Sequence, residues 1–136
     1  MELWFTEHLS DHVRFSLRVT RHLYSAPSPY QQIDVFDSAE FGRVLVLDGY
    51  LMITERDEFI YHEMITHVPM AVHPNPRRVV VVGGGDGGTV RELCRYEHVE
   101  HIDLVEIDEL VVQAAQDYFP TTSSGFTDPR VSIPIQ

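Results

Sequence analysis

The chain has 136 residues, 43% of them hydrophobic, which gives room for one ordinary domain, or one and a half small ones, around a packed core. Its formal charge of −11, from 21 acids against 10 Lys plus Arg, excludes nucleic-acid binding through clustered cations and favours a cleft that concentrates cationic small molecules. The single cysteine, Cys94, excludes an internal disulfide and fits a reducing cytoplasm, the N-terminus lacks a signal-peptide pattern, and no window reaches the apolar length of a membrane span.

Residues 1–56 read as β-rich. Segments 15–24 and 32–37 alternate apolar and polar side chains, 42–47 is a more continuously apolar strand, and Asp48-Gly49 marks a hairpin turn into a strand over 50–54. Pro27 and Pro29 mark a turn before the second of these strands. From Arg56 the period changes. Phe59, Ile60, Met64, Ile65 and Val68 recur at helical spacing, predicting a helix that Pro69 ends or kinks. Beyond a Pro74-Asn75-Pro76 linker the pattern predicts a buried strand over 79–82, a helix over 89–96, a strand over 102–106, a helix over 109–119 and a short edge strand over 131–135 containing Pro134. The fold class is therefore α/β. An antiparallel β domain (1–56) precedes a truncated Rossmann-like β-α-β-α-β half-fold of the S-adenosylmethionine-dependent methyltransferase type (57–136). Three parallel strands are thin for an independent sheet, and the strand over 79–82 would keep an open edge, so the chain is expected to be a fragment or to need a complementing segment.

The chemistry concentrates between Val82 and Asp108. Gly83, Gly85 and Gly88 satisfy the G-x-G-x-x-G fingerprint after a strand and before a helix, and Glu106 closes the next strand where a ribose-binding acid belongs. Asp86 sits among the glycines. A carboxylate there repels a pyrophosphate, so the loop suits a sulfonium and an amine better than NAD. The helix after Arg56 opens with Asp57 and Glu58, acids that complement its dipole. Tyr61 and His62 lie on its next turn and can reach a cleft beside the loop. His62, Glu63 and His67 do not form a zinc site, because five residues turn a helix by roughly 500° and separate the two imidazoles.

Three segments together resemble one family. They are Tyr30-Gln31 with 41–49 (FGRVLVLDG), then 55–64 (ERDEFIYHEM) with His67, Val68 and Pro69, then 82–88 (VGGGDGG) with 105–108 (VEID). The combination resembles the N-terminal half of spermidine synthases, the polyamine aminopropyltransferases. The resemblance implies transfer of an aminopropyl group from decarboxylated S-adenosylmethionine to putrescine, giving spermidine and methylthioadenosine. It implies Gln31 as a nucleoside contact, Tyr61 and His62 as polyamine contacts, Asp86 as the anion for the donor amine and the polyamine, and Glu106 as the ribose acid. It also implies that Gly83, Gly84 and Gly85 pack against the ligand through backbone. The donor is a co-substrate carrying its own leaving group, so no metal or cofactor is expected. The family's general-base aspartate matches no residue here, so little turnover is expected from the chain alone. The alternatives are a non-catalytic relative that binds an adenosine-type ligand or pairs with another chain, and a methyltransferase on the same half-fold. A homo-oligomer, dimer or tetramer, is expected from apolar Leu51, Met52 and Ile53 near the hairpin.

Overall fold

The computed structural model describes residues 1–135, and the chain divides into two compact units, Met1–Glu58 and Phe59–Gln136. The first unit is an antiparallel meander, β1 (Leu3–His8), β2 (Arg14–Pro27), β3 (Gln32–Ser38), β4 (Gly42–Leu47) and β5 (Tyr50–Thr54), paired in chain order. Period-2 alternation sends Ile33, Val35, Val44 and Val46 inward, and Leu17 and Phe36 join the buried set. Arg21 and Arg43 both bond Asp37, at 2.8 and 3.0 Å. Burial raises the Asp37 carboxyl, but the bonds to Arg43 and Arg21 outweigh it and hold the group below its usual range. Strand β1 has no counterpart in the sequence reading, because its segment, LWFTEH, carries its apolar residues consecutively before it turns polar. Ile53, expected on the surface, is buried, whereas Tyr50 and Met52 are exposed. Alternation along β5 explains the difference.

The second unit holds α1 (Glu58–Val72), β6 (Arg78–Val82), α2 (Gly88–Cys94), β7 (His101–Val105), α3 (Glu109–Tyr118), a 3-10 turn (Thr122–Thr127) and β8 (Val131–Ser132). Its sheet is parallel in the order β6-β7-β8. A single bridge between Glu106 and Ile135 extends β8 past Pro134, which lies on the border strand as its missing N–H requires. The core under the sheet is Met70, Val90, Leu93, Val99, Ile102 and Leu104, with Val79, Val81 and Cys94 packed against it.

Helix α1 runs through Pro69 to Val72. Its apolar residues Phe59, Ile60, Met64, Ile65 and Val68 face outward, while Glu58, His62, Thr66 and Met70, four residues apart, are buried. Strand β6, expected to be buried, is instead half-buried at Val79 and Val81 on one face, while Val80 and Val82 point outward, Val82 at 84% exposure, because no described residue of this unit covers that side. Its edge pairs with β7 alone among the described residues.

The end of α2 is fastened by Arg130. Its guanidinium donates to the carbonyls of Cys94 (2.7 Å), Tyr96 (2.8 Å) and Val99 (3.0 Å), and Asp128 Oδ2 accepts from it at 2.7 Å. The Cys94 carbonyl is one of the acceptors a helix leaves unpaired at its C-terminus, and those of Tyr96 and Val99 lie in the turns just beyond it. Arg130→Ala should cost about 2–3 kcal/mol in denaturant unfolding, the sum of a few net hydrogen bonds to a charged donor. A loss under about 0.5 kcal/mol would mean that water replaces the guanidinium without penalty.

Candidate functional site

Strand β6 delivers the chain to the glycine loop. The Gly83 N–H donates to the Val105 carbonyl at 2.9 Å, and the Gly87 N–H closes a turn on the Gly84 carbonyl at 3.0 Å. This turn brings Asp86 back over the start of α2. Asp86 Oδ1 accepts from the Gly88 N–H at 2.8 Å and lies 3.1 Å from His62 Nε2. His62 comes from the buried face of α1 and is 1% exposed. Its ring lies flat against Gly88: a Cβ added there would stand 2.2 Å from two ring atoms. Tyr61 is 61% exposed, with its ring edge-on to His62 at 5.2 Å between centroids.

Burial raises the Asp86 carboxyl, but the His62 hydrogen bond and charge, the Gly88 amide and the charge of Arg91 together hold it below its usual range. Asp86 is therefore a carboxylate across the physiological range. Two protein donors, the Gly88 amide and His62, address its Oδ1.

Glu106 stands on the other side of the loop, at the end of β7. Oε2 accepts from the Gly85 N–H at 3.0 Å, while Oε1 accepts from the N–H groups of Ile107 (2.9 Å) and Asp108 (3.2 Å). Three backbone donors fix the carboxylate, and Oε2 keeps a lone pair for a ligand hydroxyl. A Cβ at Gly85 would lie 2.9 Å from Oε2 and 3.1 Å from Val111 Cγ1. Gly85→Ala should therefore displace Glu106 and cost about 1–3 kcal/mol in denaturant unfolding. Asp108, next along, caps α3 by accepting from the Leu110 N–H at 3.1 Å.

The fold thus brings together Tyr61, His62, Asp86, Glu106 and the glycines at 83–85 within the second unit. Gln31 belongs to the first unit. It is half-buried just ahead of β3, its backbone N–H donating to Ser28 Oγ at 3.0 Å. Sequence reasoning missed what surrounds Glu92 on α2. Its side chain, 5% exposed, accepts from Arg91 (3.0 Å), Arg95 (2.8 Å) and His67 (3.0 Å). Burial raises this carboxyl and those three partners outweigh it, so it too stays ionised.

Asp37, Asp86, Glu92 and Asp128 all sit below their ordinary values of 3.8 or 4.5. Groups depressed on folding add stability above their unfolded values and lose it as pH falls through that range. The melting temperature should hold steady above about pH 5 and drop steadily below it. A flat profile down to about pH 2 in a calorimetric scan would contradict these ion pairs.

A strand, a glycine loop carrying an acid, a helix and a second acid closing the next strand define half of a Rossmann-like fold of the methyltransferase type. The family assignment follows from comparison with known proteins. Residues 58–136 match the spermine/spermidine synthase domain model, and residues 3–55 match that of the spermidine synthase tetramerisation domain. The chain belongs to the spermine/spermidine synthase family. It is 57% identical over 133 residues to the polyamine aminopropyltransferase of Alkaliphilus metalliredigens, covering 98% of this chain and 47% of that protein. To the polyamine aminopropyltransferase of Clostridium perfringens strain 13 it is 59% identical with the same coverage. The crystal structure of spermidine synthase from Thermotoga maritima superposes with a TM-score of 0.96 at 47% identity, covering 98% of this chain and 47% of that one. A spermidine synthase in complex with the transition-state analogue AdoDATO gives the same TM-score of 0.96 over 46% of its chain. The chain spans about half the length of the curated relatives it matches.

Proposed function

We propose that this chain supplies the donor-binding part of a polyamine aminopropyltransferase, which moves the aminopropyl group of decarboxylated S-adenosylmethionine to putrescine. One observation carries the reading. Asp86, held in the glycine loop by His62 and the Gly88 amide and kept ionised there, supplies a carboxylate for an ammonium group. A charge-assisted bond of this kind is about twice as strong as a neutral one.

Glu106 then takes the ribose hydroxyls, the backbone of Gly83, Gly84 and Gly85 lies along the nucleoside, and Gln31 and Tyr61 contribute further contacts. In the reaction, the neutral amine of putrescine attacks the aminopropyl carbon. As the new C–N bond forms, the C–S bond breaks, and sulfur leaves with the electron pair as the uncharged thioether of methylthioadenosine. The proton lost by the attacking nitrogen passes to a base outside the residues assigned here. The sulfonium is its own leaving group, so the step calls for no metal or cofactor. What the chain's residues contribute is orientation and a negative surround for two cations.

The first unit serves self-association in this reading. Its match to a tetramerisation domain supports that role, as does its exposed apolar set of Leu3, Trp4, Phe15, Tyr50 and Met52. We place the chemistry in the cytoplasm, where the free thiol of Cys94 fits a reducing environment. Among the described residues, no helix is long and apolar enough to cross a membrane.

The test is calorimetry with methylthioadenosine and decarboxylated S-adenosylmethionine, followed by a methylthioadenosine-release assay with putrescine. Binding of both nucleosides supports the donor site, and release supports transfer. Binding without release would confine the chain to an adenosine-binding role. Failure of both nucleosides to bind, or binding of NAD through its diphosphate, would overturn the reading.

A further inference from the structure

We propose that His67 is a positioning residue, and that its clamp on Glu92 and Tyr96 sets His62 against Asp86. The site needs such a device because α1 is secured in an unusual way. Its apolar residues face outward, so burial of a broad apolar stripe does not hold it. Within the second unit its fastenings instead include Met70 in the core, buried Thr66, His62 on Asp86, and His67.

His67 grips at both ends. Nε2 lies 3.0 Å from Glu92 Oε2 and Nδ1 lies 2.7 Å from the Tyr96 hydroxyl. Ionised Glu92 can only accept, so Nε2 donates to it, and the Tyr96 hydroxyl, which can donate or accept, meets Nδ1. Both partners are themselves immobilised. Glu92 is pinned by Arg91 and Arg95, and the Tyr96 carbonyl accepts from Arg130 at 2.8 Å.

The geometry makes this a device for aim. His62 and His67 are five residues apart, separated by about 7.5 Å along the helix and roughly 140° around it. Two contacts at different azimuths fix both the rotation and the advance of a helix, which one contact does not. Without the second, α1 can roll about the His62 contact, and a small roll moves Nε2 out of hydrogen-bond range of Asp86. Arg91 ties the two ends together, since it bonds Glu92 and its charge also favours ionised Asp86.

The experiment follows the imidazole resonances of His62 by NMR in the full chain, beside calorimetry with the two nucleosides. In His67→Ala the His62 signals should shift. Affinity for decarboxylated S-adenosylmethionine should fall roughly 3- to 10-fold, the span of one net hydrogen bond, with methylthioadenosine held within about twofold. His67→Asn, which keeps a donor and an acceptor, should restore the signals. Met70→Ala loosens the same helix without touching the clamp and should lower stability while leaving His62 in place. If His67→Ala does not fold, Tyr96→Phe is read instead and should shift His62 in the same direction. Unmoved His62 signals in the folded variant, or an equal shift in Met70→Ala, would overturn the proposal. The NMR arm needs no ligand. It therefore decides the clamp even if neither nucleoside binds, an outcome that would instead remove the donor-site reading on which the affinity arm rests.

Discussion

Asp86→Asn should weaken binding of decarboxylated S-adenosylmethionine by roughly 10- to 100-fold and leave methylthioadenosine within about threefold. The two ligands share the adenosine body and differ in the aminopropyl arm with its ammonium and in the charge on sulfur. Asparagine keeps the shape of aspartate, and its amide oxygen can still accept from the Gly88 N–H, a 2.8 Å bond in the native turn. The loop geometry should therefore persist. What disappears is the negative charge, and with it the part of the affinity that depends on meeting a cation. A charged hydrogen bond contributes about 1.5–3 kcal/mol, which sets the size of the expected loss. His62, 1% exposed, also loses a carboxylate partner, so a modest fall in stability should accompany the change. Calorimetry with both ligands separates the two effects. Equal losses for both would show that Asp86 supports the fold of the loop and does not read the amine.

Much of this fold was legible because local patterns and packing agree. Alternation of apolar and polar residues placed β3 to within one residue, a more continuously apolar run placed β4 at its observed bounds, and the glycine loop between β6 and α2 announced itself through residues that other side chains would obstruct. Asp86 stood out because its charge contradicts the usual ligand of such a loop. Helix α1 shows where the pattern stops informing. Its helical period was readable, but the same period fits an apolar face turned inward or outward, and the buried face proved to be the polar one. Only the partners decide which: His62 needs a carboxylate and a glycine opposite it, and both come from the loop and helix that follow β6.

Glu92 illustrates the same limit. An acid on a short helix reads as a solvated residue. Its burial becomes intelligible only once Arg91 and Arg95 are seen to close on it from the same helix, with His67 arriving from another. The arginines one residue before and three residues after it were the available signal. The His67 contact, which crosses 25 positions of sequence, left no local trace.

Gly88→Ala tests whether the fit of His62 against the loop is what the site depends on. Gly88 is the first residue of α2, where alanine is intrinsically the better helix former by about 1 kcal/mol. On local propensity alone the variant gains stability. The packing opposes this: the new Cβ would stand 2.2 Å from two atoms of the buried His62 ring. Either the ring leaves Asp86 or α2 shifts, and overpacking of this kind costs about 1–3 kcal/mol. The net expectation is a loss of stability, with affinity for decarboxylated S-adenosylmethionine reduced at least about tenfold as the 3.1 Å contact between His62 and Asp86 opens. A double variant makes the cause explicit. In a His62→Ala background the space beside Gly88 is vacant, so adding Gly88→Ala should cost nothing further and should recover part of its helix propensity. Such strong non-additivity is the signature of two groups in direct contact. If Gly88→Ala costs the same with and without the imidazole, the ring is not what the glycine accommodates, and the positioning of Asp86 must rest on the turn alone.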